Sequence, residues 1–92
     1  MKAIICNKWC KPEELKILEV ASPRLEVNSV RIDVHAAGVN FPDVLIIQGK
    51  YQYKPQFPFS PGSEVSGIIS EIGAEVKSFK VGDRVMAVTG HG

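Results

Sequence analysis

The sequence lacks the features that mark a membrane, secreted or nucleic-acid-binding protein. No apolar run approaches the roughly 20 residues that a helix needs to span a bilayer. Asn7 and Lys8 interrupt the apolar start before it reaches the length of a signal peptide. Two cysteines are too few for a secreted disulfide framework. The net charge is only +1, with basic residues spread along the chain, which argues against nucleic acid or an anionic membrane as partner. These absences predict a reduced, cytoplasmic protein.

Two further absences concern cofactors. No glycine-rich dinucleotide fingerprint stands between a strand and a helix, because the glycines are scattered among turns. A Rossmann domain is therefore not expected within these 92 residues. The spacing of Cys6, Cys10, His35 and His91 matches no zinc motif, and we expect these side chains on separate elements.

Short strand-like segments, punctuated by glycine and proline, make up most of the chain. The predicted strands cover residues 2–7, 15–20, 30–36, 65–72 and 84–88. A polar connection between the first two suits a hairpin, and Gly67 predicts a bulge or a close backbone approach. The pattern indicates one mainly β (α+β) domain, a small, partly open β-barrel with one short helix.

The third strand shows the clearest alternation. Its period of two puts Val30, Ile32, Val34 and Ala36 on one face and the polar residues, including His35, on the other. Arg31, Asp33 and His35 are then expected to face solvent.

A short helix is predicted directly after this strand. Asn40 is a favourable N-cap, Pro42 suits the first turn, and Asp43 complements the positive end of the helix dipole. Gly49 supplies the stop. Because β-branched residues are frequent here, packing must stabilise the helix. The following residues 50–61 predict an ordered loop in which Tyr53, Phe57 and Phe59 serve as anchors.

Four motifs, in order, resemble the medium-chain dehydrogenase/reductase superfamily and, within it, the zinc-independent quinone oxidoreductase branch. They are Gly38-Val39-Asn40-Phe41-Pro42-Asp43, Gly49-Lys50-Tyr51, Pro61-Gly62-Ser63-Glu64-Val65-Ser66-Gly67 and Val81-Gly82-Asp83-Arg84-Val85. The resemblance covers essentially the whole chain. It implies that residues 1–92 form a GroES-like N-terminal catalytic (substrate-binding) domain, incomplete here, since the sequence stops in a glycine-bracketed loop and its own Rossmann domain is missing.

The resemblance also bears on metal chemistry. Zinc-dependent relatives carry Cys where this sequence has Asn40 and His where it has Ser63, so only Glu64 of that set remains. Neutral amide and hydroxyl oxygens bind Zn²⁺ weakly, and no catalytic zinc is expected. A metal-free site favours a quinone or an α,β-unsaturated carbonyl (enone), because the charge produced by hydride transfer spreads over a conjugated system.

By the resemblance, Asn40 and Tyr51 are the candidate catalytic residues, each able to donate a hydrogen bond to the substrate or the nicotinamide. Glu64 is expected to be structural, holding a neighbouring loop or Arg84. Leu45 and Ile47 stand where some quinone reductases have Tyr and Arg, a departure that weakens any transfer of substrate preference. The implied NADPH-binding set is Asn40, Phe41, Pro42, Asp43, Val44 and Tyr51.

Three interpretations stay open. The first is part of an NADPH-dependent reductase of quinones or enones, with a homodimeric parent and a fragment that is inactive and binds NADPH very weakly or not at all. The second is a stand-alone GroES-like binding module, of which a ring-forming co-chaperonin is one version. The third is part of an enoyl-thioester reductase. Taken without the motif, Asn40 is expected to be only a helix cap.

Overall fold

The computed structural model describes residues 1–90 and contains two antiparallel sheets and one short helix. The strands are β1 (Lys2–Ile5), β2 (Lys16–Glu19), β3 (Val30–Ala37), β4 (Glu64–Ile72) and β5 (Arg84–Val88), with helix α1 (Phe41–Ile47) and a 3₁₀ turn at Pro12–Glu14. The predicted mainly β class with a single short helix is confirmed. In this part of the chain, no helix is long and apolar enough to cross a membrane.

The first sheet is the predicted hairpin of β1 and β2, paired from Lys2 with Glu19 to Ile5 with Lys16. The N-terminal ammonium closes its open end by donating to the Val20 carbonyl oxygen at 2.7 Å. β1 is shorter than predicted, because Cys6 leaves the hairpin and forms an isolated bridge with Phe59.

The second sheet has the order β3-β4-β5. Gly67 of β4 lies directly against the backbone of β3, and any side chain at this position would collide with the carbonyl oxygen of Asp33. The predicted close approach at Gly67 is therefore confirmed, and it is the physical reason for a glycine within a strand.

The predicted alternation of β3 holds only in part. His35 faces solvent as expected. On the apolar face, Val30 and Ile32 are half-buried, whereas Val34 is 52% exposed and Ala36 is also exposed. The pairing with β4 shifts register between Arg31 and Ile32 and again between Val34 and Ala36. Such irregularities break the two-residue period that the prediction assumed.

The main core lies outside the larger sheet. Cys6, Ile47 and Phe59 are buried together, so this cluster joins the end of β1, the last turn of α1 and the loop after it. Backbone hydrogen bonds reinforce the contact, with Cys6 and Phe59 exchanging two at 2.8 and 3.1 Å. As its composition predicted, α1 depends on packing, which Ile47 provides.

Aromatic side chains extend this core. Trp9 meets Phe57 edge-on with ring centroids 4.5 Å apart, and Phe57 stacks on Phe59 at 5.8 Å. Gly49 ends the helix region with a φ of 70°, and the Trp9 ring covers the place where its side chain would lie. The expectation that Phe57 and Phe59 anchor the loop is confirmed.

The chain is more extended than a closed domain of its length. The radius of gyration is 14.2 Å, against about 12 Å for a compact chain of 92 residues. The two sheets share no strand, so the barrel-like architecture is open.

Candidate functional site

The turn between β3 and α1 is fixed by three hydrogen bonds, two between backbone groups and one from a backbone N–H to a side-chain carboxylate. The Gly38 amide donates to the Glu64 carbonyl oxygen at 3.3 Å, where β3 leaves the sheet. The Asn40 amide then donates to Asp43 Oδ2 at 2.8 Å, and the Asp43 amide donates back to the Asn40 carbonyl oxygen at 3.1 Å. The start of α1 is thereby held at a defined position next to the sheet.

The Asp43 carboxylate binds the backbone and does not face solvent. Its side chain is only 7% exposed, and its carboxylate accepts the Asn40 amide just described. A carboxylate in the first turn also complements the helix dipole, as predicted.

The side chain of Asn40 does not form the capping hydrogen bond that its residue type favours. Asn40 occupies the N-cap position with an extended backbone (φ −119°, ψ 163°), but its side chain makes no capping hydrogen bond. Asn40 is exposed, and it faces Asp43 in a capping-box arrangement in which the Asn40 backbone N–H donates to Asp43 Oδ2. This position fits a helix cap, and it leaves the Asn40 side chain without a capping hydrogen bond of its own.

Apolar side chains flank Asn40 on both sides. Val39 is 84% exposed and Phe41 is 76% exposed, whereas Pro42 is partly buried. A polar amide between two exposed apolar groups suits contact with a partly apolar ligand or another protein surface.

A small apolar cavity of about 220 Å³ lies beneath this turn. Asp43 and Val44 contribute to its wall, but Asn40 and Tyr51 do not. The structure therefore divides the candidate residues between an outer surface and an inner cavity. The full lining consists of Ile4, Pro12, Leu15, Ala37, Gly38, Val39, Asp43, Val44, Ile47, Pro61 and Gly62.

Tyr51 follows the turn at the other end of α1. The turn is closed by the Lys50 amide, which donates to the Leu45 carbonyl oxygen at 2.9 Å. Tyr51 is partly buried, and its carbonyl oxygen accepts the Lys54 ammonium at 2.9 Å. Over the described range, no hydrogen bond joins the side chains of Asn40 and Tyr51.

Glu64 has the structural position expected of it, with a different partner from Arg84. Its carboxylate lies over Gly38, and a side chain at position 38 would collide with it. Among residues 1–90, Glu64 forms no ion pair with Arg84. Glu64 thus supports the loop that leads to Asn40, and Gly38 is the residue that leaves room for it.

The cysteines lie on separate elements, as expected, but close together in space. Cys6 and Cys10 do not lie apart, because their Sγ atoms are 4.0 Å from each other. Burial, together with the neighbouring Cys10, raises the pKa of the Cys6 thiol to about 11. In the sequence, the only sign of this proximity was that just three residues separate Cys6 from Cys10. This spacing brings the two sulfurs together because the chain turns and returns Cys10 to the core. The described residues contain no group of three or more potential metal ligands, and His91 lies outside them.

Comparisons with known proteins agree with this architecture. The chain is 46% identical over 88 residues to quinone oxidoreductase-like protein 2 of Rattus norvegicus, covering 96% of the chain and 25% of that protein. A probable oxidoreductase from Mycobacterium abscessus superposes with a TM-score of 0.90 at 43% identity, covering 100% of the chain and 29% of that structure. An Escherichia coli quinone oxidoreductase complexed with NADPH superposes with a TM-score of 0.88 at 34% identity, covering 97% and 27%.

The chain spans about a quarter of the length of the curated relatives that it matches. Residues 26–92 match the family described as the alcohol dehydrogenase GroES-like domain. With the antiparallel sheets, the short helix and the quinone oxidoreductase relatives, this match places the chain in that GroES-like family, among the quinone oxidoreductase-like members of the medium-chain dehydrogenases/reductases.

Proposed function

We propose that residues 1–92 are the N-terminal, substrate-binding domain of a longer, zinc-independent oxidoreductase that reduces quinones or α,β-unsaturated carbonyls with NADPH. The observation that carries the proposal is the exposed position of Asn40 at the start of α1, between the exposed side chains of Val39 and Phe41. The names of the relatives support the reaction class, and the Escherichia coli relative was solved with NADPH.

The residues around α1 fit one end of the cofactor better than the other. Asp43 puts a carboxylate in the first turn of the helix, and this negative charge disfavours a phosphate there. Neutral groups such as a nicotinamide ring and ribose hydroxyls fit an exposed amide flanked by Val39 and Phe41. The proposed contact set is Asn40, Phe41, Pro42, Asp43, Val44 and Tyr51, in which Asp43 acts by holding the turn.

When bound, NADPH supplies the hydride. Asn40 donates an amide hydrogen bond to the substrate oxygen, on which negative charge develops, and Tyr51 donates through its phenol. Phe41 and Val39 reduce the access of water to the reacting groups. Neutral Asn40 and Ser63 are poor zinc ligands, so stabilisation of the charge falls to hydrogen bonds and to conjugation in the substrate.

The proposal extends to the context of the whole protein. A cytoplasmic homodimer, without a nucleic acid or membrane partner, is the expected parent. The chain alone is expected to be inactive and to bind NADPH very weakly or not at all, because most dinucleotide contacts in this class of enzyme come from a Rossmann domain.

The first test is the intact mass of the protein as its native source produces it. A species two to three times this length, or more, supports the proposal, since a dinucleotide-binding domain adds roughly 150 residues or more. NADPH oxidation by that protein is then measured with a benzoquinone, an enone and an enoyl thioester. A clear preference for the thioester would favour the enoyl-thioester interpretation. A native product ending at Gly92 would replace catalysis with the binding-module hypothesis.

A further inference from the structure

The two cysteines form a dithiol at the centre of the main core. Cys6 is fully buried at the end of β1, and Cys10 is partly buried after the intervening loop. Their Sγ atoms are 4.0 Å apart, and the Cys6 thiol lies 3.1 Å from the carbonyl oxygen of Lys8. The sulfurs therefore face each other across a short connection within one chain.

Backbone hydrogen bonds hold both residues in this arrangement. The Cys6 amide donates to the Phe59 carbonyl oxygen at 2.8 Å and its carbonyl accepts the Phe59 amide at 3.1 Å. The Cys10 amide donates to the Ile47 carbonyl oxygen at 2.8 Å. A disulfide has an S–S length of about 2.05 Å, so the sulfurs must approach by about 2 Å. Rotation of side-chain bonds, mainly in the less buried Cys10, is the movement required.

We propose that Cys6 and Cys10 are an oxidation site, at which a peroxide converts the dithiol to a reversible intrachain disulfide. The oxidant class is a hydroperoxide, with hydrogen peroxide as the simplest case. This inference concerns a site separate from Asn40 and Tyr51, and it does not depend on the proposed reductase function.

The chemistry proceeds in two balanced steps. The Cys10 thiolate attacks one peroxide oxygen, the O–O bond breaks, and the products are a Cys10 sulfenic acid and hydroxide, which takes up a proton as water. The Cys6 sulfur then attacks the Cys10 sulfur, the S–O bond breaks, and the hydroxyl leaves with the Cys6 proton as a second water. In sum, two thiols lose two electrons and two protons, and one hydrogen peroxide becomes two waters.

Burial determines which of the two sulfurs reacts with the oxidant first. Cys6 is enclosed, and its raised pKa of about 11 keeps it a thiol at neutral pH. Cys10 is the more accessible sulfur, so it meets the oxidant first and Cys6 resolves the intermediate.

The test uses the full chain in its reduced state, treated with equimolar hydrogen peroxide. We expect the intact mass to fall by two hydrogens and both cysteine thiols to become unreactive to an alkylating reagent. The chain should stay monomeric on a non-reducing gel, and peptide mapping should recover a Cys6–Cys10 cross-link. Dithiothreitol should restore both thiols.

Matched variants separate this disulfide from other oxidation products. Cys10→Ser should abolish the loss of two hydrogens, and because Cys10 is partly exposed its circular dichroism should match that of the reduced parent chain. Cys6→Ser should leave a Cys10 sulfenic acid that a dimedone probe traps. Peptide mapping of the unmutated chain decides the matter even if a variant misfolds. Disulfide-linked dimers, or a Cys10 sulfinic acid beside a Cys6 that still alkylates, would overturn the proposal.

Discussion

The loop-based core of this molecule buries its apolar side chains better than the three-stranded sheet does. We call Cys6, Trp9, Ile47, Phe57 and Phe59 the aromatic core. Cys6, Ile47 and Phe59 are buried together, and the Trp9 and Phe57 rings at the edge of this cluster are 41% and 40% exposed. The three-stranded sheet β3-β4-β5 has ladders on both sides of β4, with register shifts on the β3 side, yet Ile69 is its only buried hydrophobic residue among residues 1–90.

The contrast is strongest at the edge strand β5. Met86 and Val88 are each 88% exposed, although both lie in a paired strand. Hydrogen bonding and apolar burial are therefore provided by different parts of this chain. Since burial is the larger source of stability, the loops around the aromatic core should determine whether the chain folds.

The largest effect is expected when the aromatic core loses a ring. Phe59→Ala should cost about 3–5 kcal/mol or unfold the chain outright, because Phe59 is buried and bridges to Cys6. The matched change in the sheet, Met86→Ala, should cost less than about 0.5 kcal/mol since Met86 is exposed. Urea unfolding followed by circular dichroism measures both. Equal losses would show that the sheet contributes as much as the core.

The second prediction tests whether the sheet is tightly packed at Gly67. Gly67→Ala should cost about 1–3 kcal/mol, because the added methyl meets the rigid Asp33 carbonyl oxygen. Ser66→Ala, at the neighbouring position of β4, is the control and should be nearly neutral. Thermal unfolding of the two variants compares them, and a neutral Gly67→Ala would mean that β3 and β4 separate easily.

The structure of one region was easier to predict from the sequence than that of the other, for a physical reason. The presence of the strands and of the helix was predictable because Gly49 and the alternating segments are local signals. The exposure of Val34 was not, since it depends on register shifts between β3 and β4. The contact of Cys6 with Phe59 was equally hidden, because it joins residues from distant parts of the chain.

The third prediction concerns the junction between the regions, where β3 passes into α1. Asp43→Ala should cost about 1 kcal/mol or more, since it removes the acceptor of the Asn40 amide and the favourable charge at the helix start. Asp43→Asn keeps an oxygen at the same position and should recover part of the loss. Urea unfolding of the pair gives the comparison, and identical losses would argue against the hydrogen bond as the cause.

Less of the candidate site than of the fold followed from the sequence. The resemblance singled out Asn40, Asp43 and Tyr51, but it did not reveal that the Asp43 carboxylate accepts a hydrogen bond from the Asn40 backbone. Residue type correctly placed Asn40 at the N-cap, but it did not show that the Asn40 side chain makes no capping hydrogen bond there. Side-chain direction at a turn depends on a few competing hydrogen bonds, and residue type alone does not decide between them.

The smallest change in stability, and the most informative, is expected at Asn40 itself. A capping asparagine usually loses about 1 kcal/mol on replacement by alanine, but the Asn40 side chain makes no capping bond. Asn40→Ala should therefore change the free energy of unfolding by less than about 0.5 kcal/mol. In the longer protein proposed above, the same variant should lower quinone reduction about a hundredfold, because it removes a hydrogen-bond donor to the developing charge. Steady-state NADPH oxidation beside urea unfolding gives both numbers. A stability loss near 1 kcal/mol with normal turnover would return Asn40 to the role of a helix cap and leave the oxyanion without this donor.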